Sequence, residues 1–118
     1  MEIRTLNHVS VPIRDVARSR GFYEGLLGLA PAPRPEMGVP GVWYEVGGSQ
    51  VHLIQHDDLQ ARIDGIDPSG PHFALEVPSL PEVKRVLDAR GVPYLAFGEA
   101  QLWVRDPDGN VVEICEPR

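Results

Sequence analysis

A chain of 118 residues is one domain's worth of sequence, long enough to bury roughly two-thirds of its unfolded surface. An apolar fraction of 42% and a charged fraction of 24% are those of an ordinary globular protein. The net charge of -6, from 11 basic and 17 acidic residues, argues against nucleic acid or an anionic membrane as partner.

No apolar run approaches the ~20 residues that span a bilayer. The opening Met1-Glu2-Ile3-Arg4 lacks the basic and apolar regions of a secretory signal. Cys115 is the single cysteine, so no disulfide forms within the chain, and a cytoplasmic location is expected.

Thr5 to Ile13 reads as a strand, with Leu6, His8 and Ser10 on one face and Val9, Val11 and Ile13 on the other. Asp15 is placed to cap a helix running through Gly21-Phe22-Tyr23-Glu24 to Leu27, which Gly28 ends. The proline-rich stretch Ala30 to Pro40 suits an edge strand or loop. Gly41 to Val46 and Gln50 to Gln55 then read as strands around Gly47-Gly48. His56 to Gly70 is rich in turn residues and reads as a linker.

The order then recurs. His72 to Val77 is a strand, with His72, Ala74 and Glu76 on one face. Ser79-Leu80-Pro81-Glu82 has the capping-box pattern, and Val83, Val86 and Leu87 give the helix an apolar stripe ending at Gly91. Val92 to Phe97 and Gln101 to Val104 are strands. Asp106-Pro107-Asp108-Gly109 is a turn before a last strand from Asn110 to Cys115.

The sequence therefore reads as an α+β chain of two βαβββ modules in one domain spanning 1–118: about 1–55 and about 71–118, with the linker at about 56–70. Each module opens on a histidine-bearing strand, Asn7-His8-Val9 and Pro71-His72-Phe73. Each closes on a strand with one potential ligand, Val51-His52-Leu53 and Val112-Glu113-Ile114. The separations nearly match, 44 positions from His8 to His52 and 41 from His72 to Glu113.

His8, His52, His72 and Glu113 together suit a divalent transition metal, because imidazole nitrogen and carboxylate oxygen are both ligands of such ions. Taken singly, each histidine is better explained as a satisfied structural residue than as a ligand, and Glu113 as an exposed residue of the final strand; the repeat is what favours the joint site. By alternation with these residues, Trp43, Glu45, Glu76, Trp103, Arg105 and Cys115 share their face. The tryptophans would wall an organic substrate or serve as ordinary core. Glu76 is a candidate base or a rim carboxylate. Cys115 is a reactive thiol or a small buried one.

On Leu6-Asn7-His8-Val9-Ser10-Val11, Phe22-Tyr23-Glu24-Gly25-Leu26-Leu27-Gly28-Leu29, His72-Phe73-Ala74-Leu75-Glu76-Val77 and Val104-Arg105-Asp106-Pro107-Asp108-Gly109-Asn110-Val111-Val112-Glu113-Ile114, the chain resembles the vicinal oxygen chelate superfamily. That group includes glyoxalase I, extradiol dioxygenases, methylmalonyl-CoA epimerases, fosfomycin-resistance transferases and bleomycin-resistance proteins.

The resemblance implies paired βαβββ modules in a curled, cup-shaped mixed sheet, with helices on the outer face. It implies a divalent ion (iron, zinc, nickel or manganese) held by His8, His52, His72 and Glu113, and a homodimer whose sites are shared between chains. A small-molecule substrate would meet Trp43, Trp103, Arg105 and Cys115, with His52, Glu113 and Glu76 as catalytic candidates.

His52 stands where glyoxalase I typically has glutamate and the epimerases glutamine. Two histidines and a carboxylate also resemble the iron site of the dioxygenases. The expectation is thus a metal-dependent dioxygenase or glyoxalase-like lyase or isomerase. The alternative is a drug-sequestering binding protein of the bleomycin-resistance kind.

Overall fold

The doubled order is realised as two α+β modules of identical topology. The computed structural model describes residues 1–62 and 64–118, which divide into two compact units, Met1–Ala61 and Arg62–Arg118.

In the first unit, β1 (His8–Ile13) leads into α1 (Val16–Arg20), which continues as a π-helical segment, Gly21–Leu26. Strands β2 (Ala30–Ala32), β3 (Gly41–Val46) and β4 (Ser49–Gln55) follow. The sheet order is β1-β4-β3-β2, with β1 parallel to β4 and the other neighbours antiparallel. Because β1 and β4 are parallel, the chain must cross over between them, as parallel neighbours require.

Alternation sorts the side chains of this sheet cleanly. Val11, Ile13, Val42, Tyr44, Val51 and Leu53 are buried. Tyr23 of the helical segment stacks on Tyr44, with ring centroids 6.1 Å apart. The helix therefore covers the apolar face, leaving the opposite face to His8, Trp43 and His52.

Asp15 caps α1 as expected, its carboxylate accepting from the Arg18 amide at 2.9 Å. The expected α-helix through Leu27 is only half α. From Gly21 the hydrogen bonds lengthen, with the Leu27 amide donating to the Phe22 carbonyl at 2.9 Å. Gly21 and Gly25 lie in this widened segment, where their low helix propensity favours departure from α geometry.

In the second unit, β5 (His72–Glu76), α2 (Leu80–Ala89), β6 (Leu95–Phe97), β7 (Gln101–Arg105) and β8 (Val111–Cys115) repeat the pattern. The sheet order is β5-β8-β7-β6, with β5 parallel to β8. Helix α2 starts where expected, but Ser79 makes no side-chain cap. Glu116 replaces it, accepting from the Leu80 amide at 2.7 Å, while Glu82 pairs with Arg85 instead. The buried stripe is Leu80 and Leu87; Val86, expected within it, is 42% exposed. Seven residues make about two helical turns, so Leu80 and Leu87 share a face, and Val86 lies about 100° away from Leu87.

The turn after β7 is built by Asp106, whose Oδ1 accepts from the amides of Asp108 and Asn110. Gly109 has φ +87°, and a Cβ there would strike the Arg62 carbonyl. Both the conformation and the close approach exclude other residues.

Candidate functional site

Two pairs of candidate ligands form, one in each unit. In the first, Ser10 on β1 lies beside His52 on β4, and Trp43 on β3 lies directly opposite His52. Adjacent side chains on one sheet face sit close enough for rings to stack. His8 and His52 stack at 4.1 Å with an 18° tilt. His52 and Trp43 stack at 4.1 Å with a 4° tilt.

The imidazole of His52 is 7% exposed and its Nε2 lies 2.8 Å from Gln50 Oε1. Gln50 Nε2 in turn donates to Glu45 Oε2 at 2.8 Å. The arrangement that satisfies this chain puts the proton on His52 Nε2 and its lone pair on Nδ1. Burial lowers the pKa of His52, with the charges of His8 and Arg34 acting in the same direction. A neutral ring is what either a metal ligand or a base requires.

These residues border a cavity of about 340 Å³ shared with Arg34, Met37, Val39 and Ile54. That volume is at the small end of ligand sites.

In the second unit the equivalent positions are His72, Trp103 and Glu113. Ala74 pairs with Glu113 on β8 as Ser10 pairs with His52, and Trp103 on β7 lies opposite Glu113 as Trp43 lies opposite His52. Here the partners bond directly. His72 Nε2 is 3.0 Å from Glu113 Oε1, and His72 Nδ1 donates to the Gly70 carbonyl at 2.8 Å. Gln101 Nε2 donates to Glu113 Oε2 at 3.2 Å, and Trp103 Nε1 approaches His72 Nε2 at 3.4 Å.

The Gly70 carbonyl does most to raise the pKa of His72; burial works against it, and Glu113 adds to the rise. His72 Nε2 and Glu113 Oε1, both good metal donors, thus lie in hydrogen-bond contact. Two ligand atoms each ~2.1 Å from an ion, at right angles, are ~3.0 Å apart, which matches the His72–Glu113 separation. The Gly70 contact fixes the ring with Nε2 turned toward Glu113, the outer hydrogen bond that metal-ligating histidines usually carry. The donor set fits a divalent ion. Among the described residues, no three His, Cys, Asp or Glu side chains gather at one point.

The remaining candidates are less engaged. Glu76 is exposed beside Cys115. Burial, and then the charge of Glu113, raises the Cys115 pKa, so its thiol remains protonated and a poor nucleophile. Arg105 Nη1 donates to the Gly65 carbonyl at 3.3 Å.

Sequence reading did not pick out Gln50, Gln101 or Arg34. The two glutamines share strand parity with the ligands and were open to the same alternation argument. Arg34 lies in Pro33-Arg34-Pro35, outside any periodic element, and left no such signal.

A sheet order repeated twice, with a histidine on each first strand, defines the class of chain, and the comparisons give the family. The profile of the Glyoxalase/Bleomycin resistance protein/Dioxygenase superfamily matches residues 5–114. The chain belongs to this superfamily.

It is 33% identical over 125 aligned residues to Glyoxylase I 4 of Arabidopsis thaliana, covering 98% of this chain and 72% of that one. Its fold matches a glyoxalase/dioxygenase from Nostoc punctiforme with TM-score 0.79 at 18% identity, over 98% of this chain and 92% of that one. It also matches lactoylglutathione lyase from Agrobacterium tumefaciens with TM-score 0.72 at 20% identity, over 98% of this chain and 96% of that one. Among the described residues no helix is long and apolar enough to cross a membrane.

Proposed function

We propose that this chain is a divalent-metal-dependent enzyme of the glyoxalase type, performing lyase or isomerase chemistry on a small substrate that presents adjacent oxygens. The reading is carried by the His72–Glu113 pair: two metal donors 3.0 Å apart, one of them locked in orientation by a backbone carbonyl.

His8, His52, His72 and Glu113 would hold the ion, which when bound supplies Lewis-acid stabilisation of developing negative charge. Trp43 and Trp103 would flank the substrate. His52, kept neutral by burial and oriented by Gln50, would act as a proton acceptor wherever it is not a ligand. Glu113 is a ligand in this reading, and Glu76 a rim carboxylate able to take part in proton transfer. The similarity to a chain named Glyoxylase I 4 supports lyase or isomerase chemistry over ring cleavage.

We further propose a homodimer in which His8 and His52 of one chain meet His72 and Glu113 of the other, since each unit by itself gathers only one pair of the four donors. A cytoplasmic location belongs to the same reading.

Metal analysis tests it. Protein purified without chelator is expected to carry close to one divalent ion per site and to turn over a hemithioacetal with zinc, nickel or manganese. Less than about a tenth of an equivalent, with no gain on adding any of these ions or iron, would overturn the metal-enzyme reading. Oxygen uptake on catechols with iron(II), and no hemithioacetal turnover, would move the assignment to a dioxygenase. Ligand binding without metal or turnover would leave the sequestering reading, which the cavity beside His52 also accommodates.

A further inference from the structure

Arg34 enters the first unit's cavity from the loop between β2 and β3, sharing its wall with His8, Trp43 and His52. A guanidinium carries five N–H donors and a charge that is never given up. One terminal nitrogen of Arg34 donates to the Val39 carbonyl at 2.8 Å. Among the described residues its buried Nε has no acceptor. Among the described residues no carboxylate forms an ion pair with it.

That is a costly arrangement in a chain with 17 acidic residues. Half-buried charges are ordinarily paired, because desolvation without a counter-charge is unfavourable.

The fold also makes room for this guanidinium at a specific place. Gly41, on β3, has no side chain where a Cβ would lie 2.9 Å from Arg34 Nη2 and would strike the Leu53 carbonyl. The guanidinium therefore rests against bare backbone at position 41, tethered by Val39, at the edge of a cavity whose other walls include Met37 and Ile54. A fixed, uncompensated cation beside apolar walls is a carboxylate subsite: the fork binds two oxygens, and the walls take the organic body.

We propose that Arg34 binds the carboxylate of the substrate, and that the substrate class is a small organic monocarboxylate whose apolar part packs on Met37, Val39 and Ile54. This deepens the proposed function and rests on it only in taking this cavity as the substrate site; carboxylate binding needs no metal.

The test uses chelator-treated full-length protein, titrated with benzoate and with its neutral isostere benzamide. Binding is followed by NMR at the ring protons of His8, His52 and Trp43. Benzoate is expected to bind about ten-fold tighter than benzamide and to shift these rings. Arg34→Met should erase the preference while leaving benzamide affinity unchanged. Arg34→Lys, which keeps the charge and loses the fork, should retain part of it. Arg85→Met, on the exposed side of α2, should keep all of it.

Equal affinities for the two ligands, no saturable binding of benzoate at millimolar concentration, or a preference that survives Arg34→Met would each overturn the proposal. Where Arg34→Met fails to fold, the wild-type comparison and Arg34→Lys still decide. Because metal is absent from the measurement, its failure is separate from a failure of metal loading or turnover.

Discussion

His52 and His72 depart from the ordinary histidine value of 6.5 in opposite directions, His52 down through burial and His72 up through its Gly70 contact. In chelator-treated protein an NMR titration should show His72 holding its proton to a higher pH than His52; the reverse order would contradict the geometry. The two also act oppositely on stability. His72 gains a proton more readily when folded, so its contribution is fully present below pH 6.5 and is lost as pH rises through its raised value. His52 resists protonation when folded, so it costs nothing above pH 6.5 and destabilises as pH falls below that. For metal loading, Glu113→Ala and His72→Ala should each abolish binding measured by equilibrium dialysis, and His52→Ala should weaken it ~10-fold or more. Unchanged affinity with lost turnover in His52→Ala would make His52 a proton acceptor only.

Packing at the level of elements is where the first helix meets its sheet. Tyr44 is fully buried and donates to Glu24 Oε2 at 2.8 Å, while Arg20 Nε contacts the same carboxylate at 2.7 Å. Burial raises the Glu24 pKa, but the bonds from Arg20 and Tyr44 outweigh it and the net shift is downward. Tyr44→Phe should therefore cost about 1.5–3 kcal/mol, the usual range for a hydrogen bond to a charged group, read as a lower midpoint in urea with unchanged slope. In the second unit, Glu116→Ala removes the acceptor at the start of α2 and should cost about 1 kcal/mol, as loss of a helix cap does.

The caps of the two helices also mark how far the sequence could be read. The Asp15 cap is local, one side chain reaching an amide three residues on, and was legible. The cap on Leu80 comes from Glu116, 36 positions away, and no pattern within the helix could reveal it; the local capping-box signal pointed to Ser79 instead. Strand faces were legible because alternation fixes them, which placed His8, His52, His72 and Glu113 on the correct sides. Arg34 was not, because a residue between two prolines has no period to follow.

For the whole molecule, assembly is the open proposal with the sharpest outcome. If sites are completed between two chains, His8→Ala and Glu113→Ala proteins, each inactive, should regain turnover when unfolded together and refolded, since each heterodimer would hold one intact site. No recovery would favour a site built within one chain. The repeated register also shows where the two units part company. Position 41 and position 101 are equivalent, each two residues before the tryptophan of its strand. Glycine at the first admits the guanidinium of Arg34, and glutamine at the second instead donates its amide to Glu113. One residue at this place thus separates a half that houses a guanidinium from a half whose glutamine hydrogen-bonds its carboxylate.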